Sequence, residues 1–226
     1  MNILFMGTPD IAAAALEAIL DAGHTVCGVY TRADKPVGRK QVLTAPPVKR
    51  TAMAHGIPVF QPGTLRDAAQ AENIRALAPE LIVVVAYGRI LPPEVLAIPQ
   101  YGCINLHVSL LPRYRGAAPV QWAVINGEKT TGVSIMYLNE GLDTGDILRV
   151  SPVEIGENET SGELFERITQ EGVRTLLAAM EDIAAGTAQA GRRMTPRPRW
   201  RRPLQKNRRI SDLTRPPAVC TTSSAV

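Results

Sequence analysis

Along its first thirty residues the chain alternates between two hydrophobic periods. Asn2 to Met6 reads as a buried strand, and the polar turn Gly7-Thr8-Pro9-Asp10 follows it. Ile11 to Asp21 has the spacing of an Ala-rich helix, with Asp10 as its expected cap and Gly23 as its stop. Val-rich Thr25 to Tyr30 is a second strand. A strand–helix–strand unit of this length implies a crossover, and hence a parallel sheet with helices packed on its faces.

The alternation continues with one interruption. Residues 31 to 46 combine glycine, prolines and several cations without apolar periodicity, and are expected to form a long loop. A helix near Val48 to Ala54, a short strand at Val59-Phe60, a helix over Leu65 to Leu77 and a doubly buried strand over Leu81 to Ala86 follow. Cys103 to His107 is the next strand. Beyond the Pro- and Gly-rich stretch 108 to 119 the pattern predicts a helix near Val120 to Ile125 and strands near Gly132 to Leu138 and Ile147 to Val153. A last helix runs from Ser161 to Ala184, opened by Thr160 and Glu163 at capping-box spacing and closed by Gly186. The expected fold is a doubly wound α/β domain over residues 1–190 with a mostly parallel sheet. From residue 191 onward Arg and Pro accumulate without periodicity, so 191–226 is expected to be a disordered basic tail.

Charge sharpens that division. The 226 residues carry a net charge of +4, which taken alone suggests a nucleic-acid partner. Residues 191–226 hold nine Arg and one Lys against one Asp, a local +9, so the body is acidic at −5. A hydrophobic content of 45% with 20% charged residues is that of a soluble globular chain. Cys27, Cys103 and Cys220 are odd in number and widely spaced, which fits a reducing cytoplasm rather than a disulfide framework. His24, His55 and His107 make no zinc-ligand spacing with them, so no metal is expected. Asp10 and Glu17 interrupt the apolar N-terminus, and neither an export nor a membrane segment is expected.

Two segments carry candidate chemistry. On a strand, Asn105 and His107 project to the same side, which puts an amide and an imidazole at a strand's carboxyl end where open sheets bind ligands. Such a pair can hold a developing oxyanion, although a histidine satisfied beside a turn is an equal alternative on these residues alone. Gly141-Leu142-Asp143-Thr144-Gly145-Asp146 sets two carboxylates between glycines, and one of them could orient His107 or assist proton transfer; ordinary turn residues are the competing explanation. Gly7-Thr8-Pro9 lacks the G-x-G-x-x-G pattern, so no dinucleotide is expected. Arg32, Lys35, Arg39, Lys40, Lys49 and Arg50 against Asp34 give residues 32–50 a local +5 on the acidic body.

Taken together, these segments resemble the methionyl-tRNA formyltransferase family. The resemblance rests on GTPD at 7–10, DKPVGR at 34–39, VVAYG at 84–88, INLHVSLLPRYRGAAP at 104–119 and GLDTGD at 141–146, and runs in order to about residue 190. The Asn-x-His, SLLP and LDTGD segments belong to folate-dependent formyltransferases as a group, whereas RGAAP and the basic loop favour the tRNA enzymes. It implies a Rossmann-like fold of the formyltransferase type. Catalytic roles are implied for Asn105, His107 and Asp143, with 10-formyltetrahydrofolate as co-substrate. Ser109, Leu110, Leu111 and Pro112 would line the folate site, and Val84, Val85, Ala86, Tyr87 and Gly88 would wall the pterin. The resemblance further implies initiator methionyl-tRNA as partner, contacted by Lys35, Arg39 and Lys40, and a monomer; Arg113, Tyr114 and Arg115 are candidates to add to that surface, with a structural role as the equal alternative for Tyr114.

The family continues into a linker and a smaller β-barrel, which the stretch after Gly191 does not match. A shift of reading frame near residue 190 is the expected origin of the change, with a nonspecific RNA-binding tail as the rival account. Transfer to a small amine such as glycinamide ribonucleotide or an amino sugar is the competing activity, and a folate- or RNA-binding module without turnover is the competing non-enzyme.

Overall fold

The computed structural model describes residues 1–189. Its strands are β1 (Asn2–Gly7), β2 (Thr25–Tyr30), β3 (Lys35–Val37), β4 (Val42–Thr44), β5 (Val59–Phe60), β6 (Leu81–Val85), β7 (Cys103–His107), β8 (Thr130–Tyr137) and β9 (Ile147–Glu154). Its helices are α1 (Asp10–Asp21), α2 (Pro47–Ala54), α3 (Ala68–Ala76), α4 (Pro93–Leu96), α5 (Pro119–Ile125) and α6 (Ser161–Ala184). Seven strands form one sheet in the order β5-β2-β1-β6-β7-β8-β9. The first five are parallel, β8 runs antiparallel to them, and β9, antiparallel to β8, returns to their direction. Periodicity carries no strand direction, but the short link between β8 and β9 cannot span a parallel crossover.

Every residue of β6 is buried, as a strand covered on both faces requires. One face of the sheet packs Ile3, Phe5, Val83, Val85 and Ile104 against α1, α2, α5 and α6. The other packs Leu4, Met6, Tyr30, Ile82 and Val84 against α3 and α4. The chain winds from β1 outward to β2 and β5, then returns to the far side of β1 with β6, so the winding reverses between β1 and β6. Loops diverge at that reversal and open a crevice at the carboxyl ends of the strands.

Several expectations shift. Asp10 lies inside the first turn of α1 and Pro9 takes the cap position, with no side-chain cap bond, because proline already supplies a helix-compatible φ. The helix expected over 65–77 begins at Ala68, where Asp67 caps it by accepting from the Ala69 N–H at 3.1 Å. The long loop of 31–46 contains the antiparallel hairpin β3–β4. All six of its strand residues are exposed, so no burial alternation marked them. Helix α6 has the expected bounds, and both bonds of the Thr160–Glu163 capping box are present. The expected disordered tail at 191–226, and the reading-frame account of it, lie outside the described residues. Among the described residues no helix is long and apolar enough to cross a membrane.

Candidate active site

Alternation on β7 turns Asn105 and His107 to the same face, and both line a cavity of about 620 Å³ at the reversal crevice. His107 is only 7% exposed. Its Nε2 lies 3.0 Å from the carbonyl oxygen of Tyr114. A carbonyl oxygen only accepts, so Nε2 carries the proton and, in the neutral ring, Nδ1 keeps its lone pair. Nδ1 in turn faces Asp143 Oδ2 at 3.8 Å. That separation is too long for a hydrogen bond but short enough for strong attraction once the ring is charged.

Asp143 arrives from 36 positions along the chain. Tyr137 pairs with Ile104 across β7–β8, and the Leu138 N–H donates to the Cys103 carbonyl at 2.8 Å, so the loop after β8 starts at the amino end of β7. The loop then folds back along β7 to reach His107. Asp143 is 8% exposed, has the left-handed φ of 52°, and its Oδ2 accepts from the Gly116 N–H at 2.8 Å. A non-glycine residue in that region costs free energy that the surrounding contacts must offset. Gly145 closes the loop at a point where a side chain has no room: a Cβ there would lie 1.7 Å from the Tyr137 carbonyl oxygen.

The remaining walls are less polar. Val84, Val85, Ala86, Tyr87 and Gly88 all line the cavity, continued by Ile90 and Leu91. Ala86 and Gly88 are exposed while the strand before them is buried, so this wall offers backbone edges above an apolar floor. The Asn105 side chain makes no hydrogen bond among the described residues, and its amide is available to a ligand.

Ser109, Leu110, Leu111 and Pro112 do not line the cavity. The Ser109 hydroxyl turns inward to the carbonyls of Arg113 at 2.7 Å and Tyr114 at 3.4 Å, and Leu111 is buried. Val108 and the segment Gly116–Pro119 line the cavity. Arg115 is a correction. Expected on an RNA-facing surface, it is 1% exposed, with Nε and Nη2 making no hydrogen bond among the described residues. Arg113 is exposed and pairs with Glu128 at 2.6 Å, an acceptor the Tyr114 hydroxyl shares.

The basic residues sit apart from the trio. Lys35 opens β3, and Arg39 and Lys40 occupy the turn to β4, all exposed and none lining the cavity. The hairpin root is clasped where Lys49 Nζ binds Asp34 at 2.8 Å and Gln61 Nε2 donates to the same carboxylate at 2.8 Å. Those two bonds, from Gln61 first and Lys49 next, hold the Asp34 carboxyl below its ordinary value. Arg32 lies against the cavity wall, its Nη2 3.3 Å from the position a Cβ on Gly88 would take.

Sequence reasoning missed three groups that shape the site. The Tyr114 carbonyl and the Gly116 N–H are backbone atoms, which no residue type announces. Ser134, fully buried on β8, had a signal: it is a lone hydroxyl between Val133 and Ile135 in an apolar strand.

Comparison with known proteins identifies the family. Residues 1–180 match the formyl transferase family model. The chain is 53% identical over 176 residues to the methionyl-tRNA formyltransferase of Alkaliphilus oremlandii, covering 78% of this chain and 57% of the relative. It is 50% identical over 188 residues to that of Pelotomaculum thermopropionicum, covering 83% and 60%. This chain thus spans about six tenths of the length of these curated relatives. Among solved structures, glycinamide ribonucleotide transformylase 1 of Symbiobacterium toebii superposes with a TM-score of 0.71 at 24% identity over 82% of this chain and 88% of that one. A sugar N-formyltransferase from a Shewanella species gives 0.66 at 22% over 86% and 74%. At those identities the likeness concerns the fold.

Proposed function

The chain belongs to the formyl transferase family, and on that premise we propose that it transfers the formyl group of 10-formyltetrahydrofolate to the amino group of initiator methionyl-tRNA. The observation that carries the reading is the convergence of Asn105, His107 and Asp143 on one cavity, two of them under 10% exposed. Relatives of about 50% identity bear the name methionyl-tRNA formyltransferase, which favours the tRNA amine over a small one. The exposed cations Lys35, Arg39 and Lys40 on an acidic body point the same way.

The cavity suits the co-substrate. A flat heterocycle needs an apolar floor with backbone donors and acceptors at its edge, and the segment Val84–Gly88 combines both. The folate supplies an activated formyl carbon; the protein's part is positioning and charge. Attack by the neutral amine forms a C–N bond and moves a carbonyl π pair onto oxygen, so negative charge grows there. The Asn105 amide donates to that oxygen. His107 Nδ1 receives the proton that the attacking nitrogen sheds, and the ring becomes a cation facing Asp143. Asp143 stabilises that cation and holds its orientation. Collapse of the oxyanion breaks the bond to the folate nitrogen, which takes the proton back from the His107 cation as it leaves and restores the neutral ring. The catalytic unit acts as a cytoplasmic monomer in this reading.

Incubating the protein with 10-formyltetrahydrofolate and either methionyl-tRNA or glycinamide ribonucleotide, and following formyl transfer, tests the proposal. Formyl-methionine on the tRNA is expected. Transfer to the ribonucleotide alone would move the activity to small amines, and folate binding without transfer to either would make the chain a binding module.

A further inference from the structure

We propose that Ser134 is a positioning residue for the His107 imidazole, acting through the segment 108–114 to hold the ring in the tautomer that carries its proton on Nε2. The inference rests on the reading above in one respect only, that Nδ1 is the atom which handles the substrate proton.

In water the two neutral tautomers of an imidazole differ little in energy, and the partner of one nitrogen decides the proton on the other. Here both nitrogens face an acceptor, but Asp143 Oδ2 stands 3.8 Å from Nδ1, beyond hydrogen-bond distance, whereas the Tyr114 carbonyl lies within it, 3.0 Å from Nε2. The opposite tautomer would set two lone pairs against each other at that distance. The carbonyl is not held in place by its own backbone preference, since Tyr114 sits at φ 57°, in the left-handed region that bulky residues avoid. Something must hold the turn.

Two buried hydroxyls do so in series. Ser109 Oγ donates to the Arg113 carbonyl at 2.7 Å and approaches the Tyr114 carbonyl at 3.4 Å. Ser109 is itself fixed from β8, where Ser134 Oγ donates to the Ser109 carbonyl at 2.7 Å and accepts from the Leu111 N–H at 3.1 Å. Ser134 has no exposed surface and stands directly opposite His107 in the β7–β8 register. One hydroxyl therefore spends its donor and an acceptor on two backbone groups of the turn whose far end grips the imidazole. Alanine at 134 would leave the Ser109 carbonyl and the Leu111 N–H buried without partners, and the turn would relax to regain them. Threonine keeps the hydroxyl.

The test uses the protein with ¹⁵N-labelled histidine, free of substrate, at alkaline pH, with the His107 signals identified by their loss in His107→Ala. Long-range proton–nitrogen spectra should show a protonated Nε2 and a bare Nδ1 in the wild type and in Ser134→Thr. In Ser134→Ala the two nitrogens should move toward intermediate shifts as the tautomers mix. In the formyl-transfer assay, kcat of Ser134→Ala should fall roughly tenfold with KM for both substrates unchanged, a fraction of the full worth of a general base, and Ser134→Thr should restore it. A pure Nε2–H tautomer retained in Ser134→Ala overturns the proposal, whatever the rate. Should that variant fail to fold, Ser109→Ala, which removes the next bond in the series, decides by the same spectra: mixed tautomers are expected, and an unmixed ring refutes the relay. Locked spectra in a protein that transfers no formyl group would refute the proposed function while leaving the relay standing.

Discussion

His107 and Lys40 stand for two ways in which a protein can act on a ligand. The imidazole is buried and gripped from several elements: Tyr114 holds one nitrogen, Asp143 faces the other, and Gly116 in turn holds Asp143. The hairpin β3–β4 that carries Lys40 leaves even its apolar residues in solvent, with Val37, Val42 and Leu43 56%, 58% and 68% exposed, and is clasped at its root by Asp34. The difference suits the task proposed for each. Proton transfer fails when a group is displaced by about an ångström, so its geometry must be over-determined. Attraction of a polyanion works through charge at a distance and tolerates a solvated, loosely packed arm.

If that contrast is right, the two regions should fail differently. The largest loss is expected for His107→Ala and Asn105→Ala, each lowering kcat by roughly 10²- to 10⁴-fold with the circular dichroism spectrum and melting curve unchanged. A variant that lost only substrate affinity would break the distinction. Asp143→Asn should cost kcat about 10- to 100-fold, less than loss of the ring it faces, because the amide keeps an acceptor for the Gly116 N–H but not the charge. Wild-type turnover there would make the carboxylate a turn residue and nothing more. Replacing Lys35, Arg39 and Lys40 together by alanine should raise KM for the tRNA while sparing kcat. It should also flatten the salt dependence of binding by about two to three in log–log slope, since each lost phosphate contact removes somewhat less than one. An unchanged slope would take the hairpin out of RNA recognition.

The smallest effect concerns the hairpin root. The Asp34 carboxyl is held below its ordinary value by Gln61 and Lys49, so the stability it contributes is present above the unfolded value of about 4 and is lost as pH falls through the lower folded one. Cleavage of the hairpin by an acid-tolerant protease should therefore stay flat from neutral pH down to about 5 and rise only below about 4. A rise already at pH 6 would show that another group clasps the root.

The same contrast explains what could be read from residues alone. The β1–α1–β2 opening, the doubly buried β6 and the capped α6 are legible because burial on a fixed period writes itself into side-chain polarity. The trio was legible as residue types at suggestive spacings, and the resemblance then supplied roles. The hairpin strands were hidden because exposed residues carry no alternation, and the reversal of β8 because periodicity is blind to direction. Ser109 shows what a motif leaves unsaid: its hydroxyl also braces the turn that holds the histidine, a bond to backbone carbonyls that no residue type announces. Arg115 misled, since a cation in a basic run reads as surface and here it is buried.

Gly145 has a consequence for how the sequence can vary. A Cβ at that position would lie 1.7 Å from a carbonyl oxygen of β8, too close for any shift of a side chain to relieve. In a library carrying every substitution at each position of 139–146, position 145 should therefore admit glycine alone. Glu140, exposed in the same loop, should accept most replacements. The path that brings a carboxylate to the imidazole is thus open to drift in composition at its exposed positions and closed at one backbone crossing. A site of this type can change its rim far more readily than the route by which its carboxylate arrives.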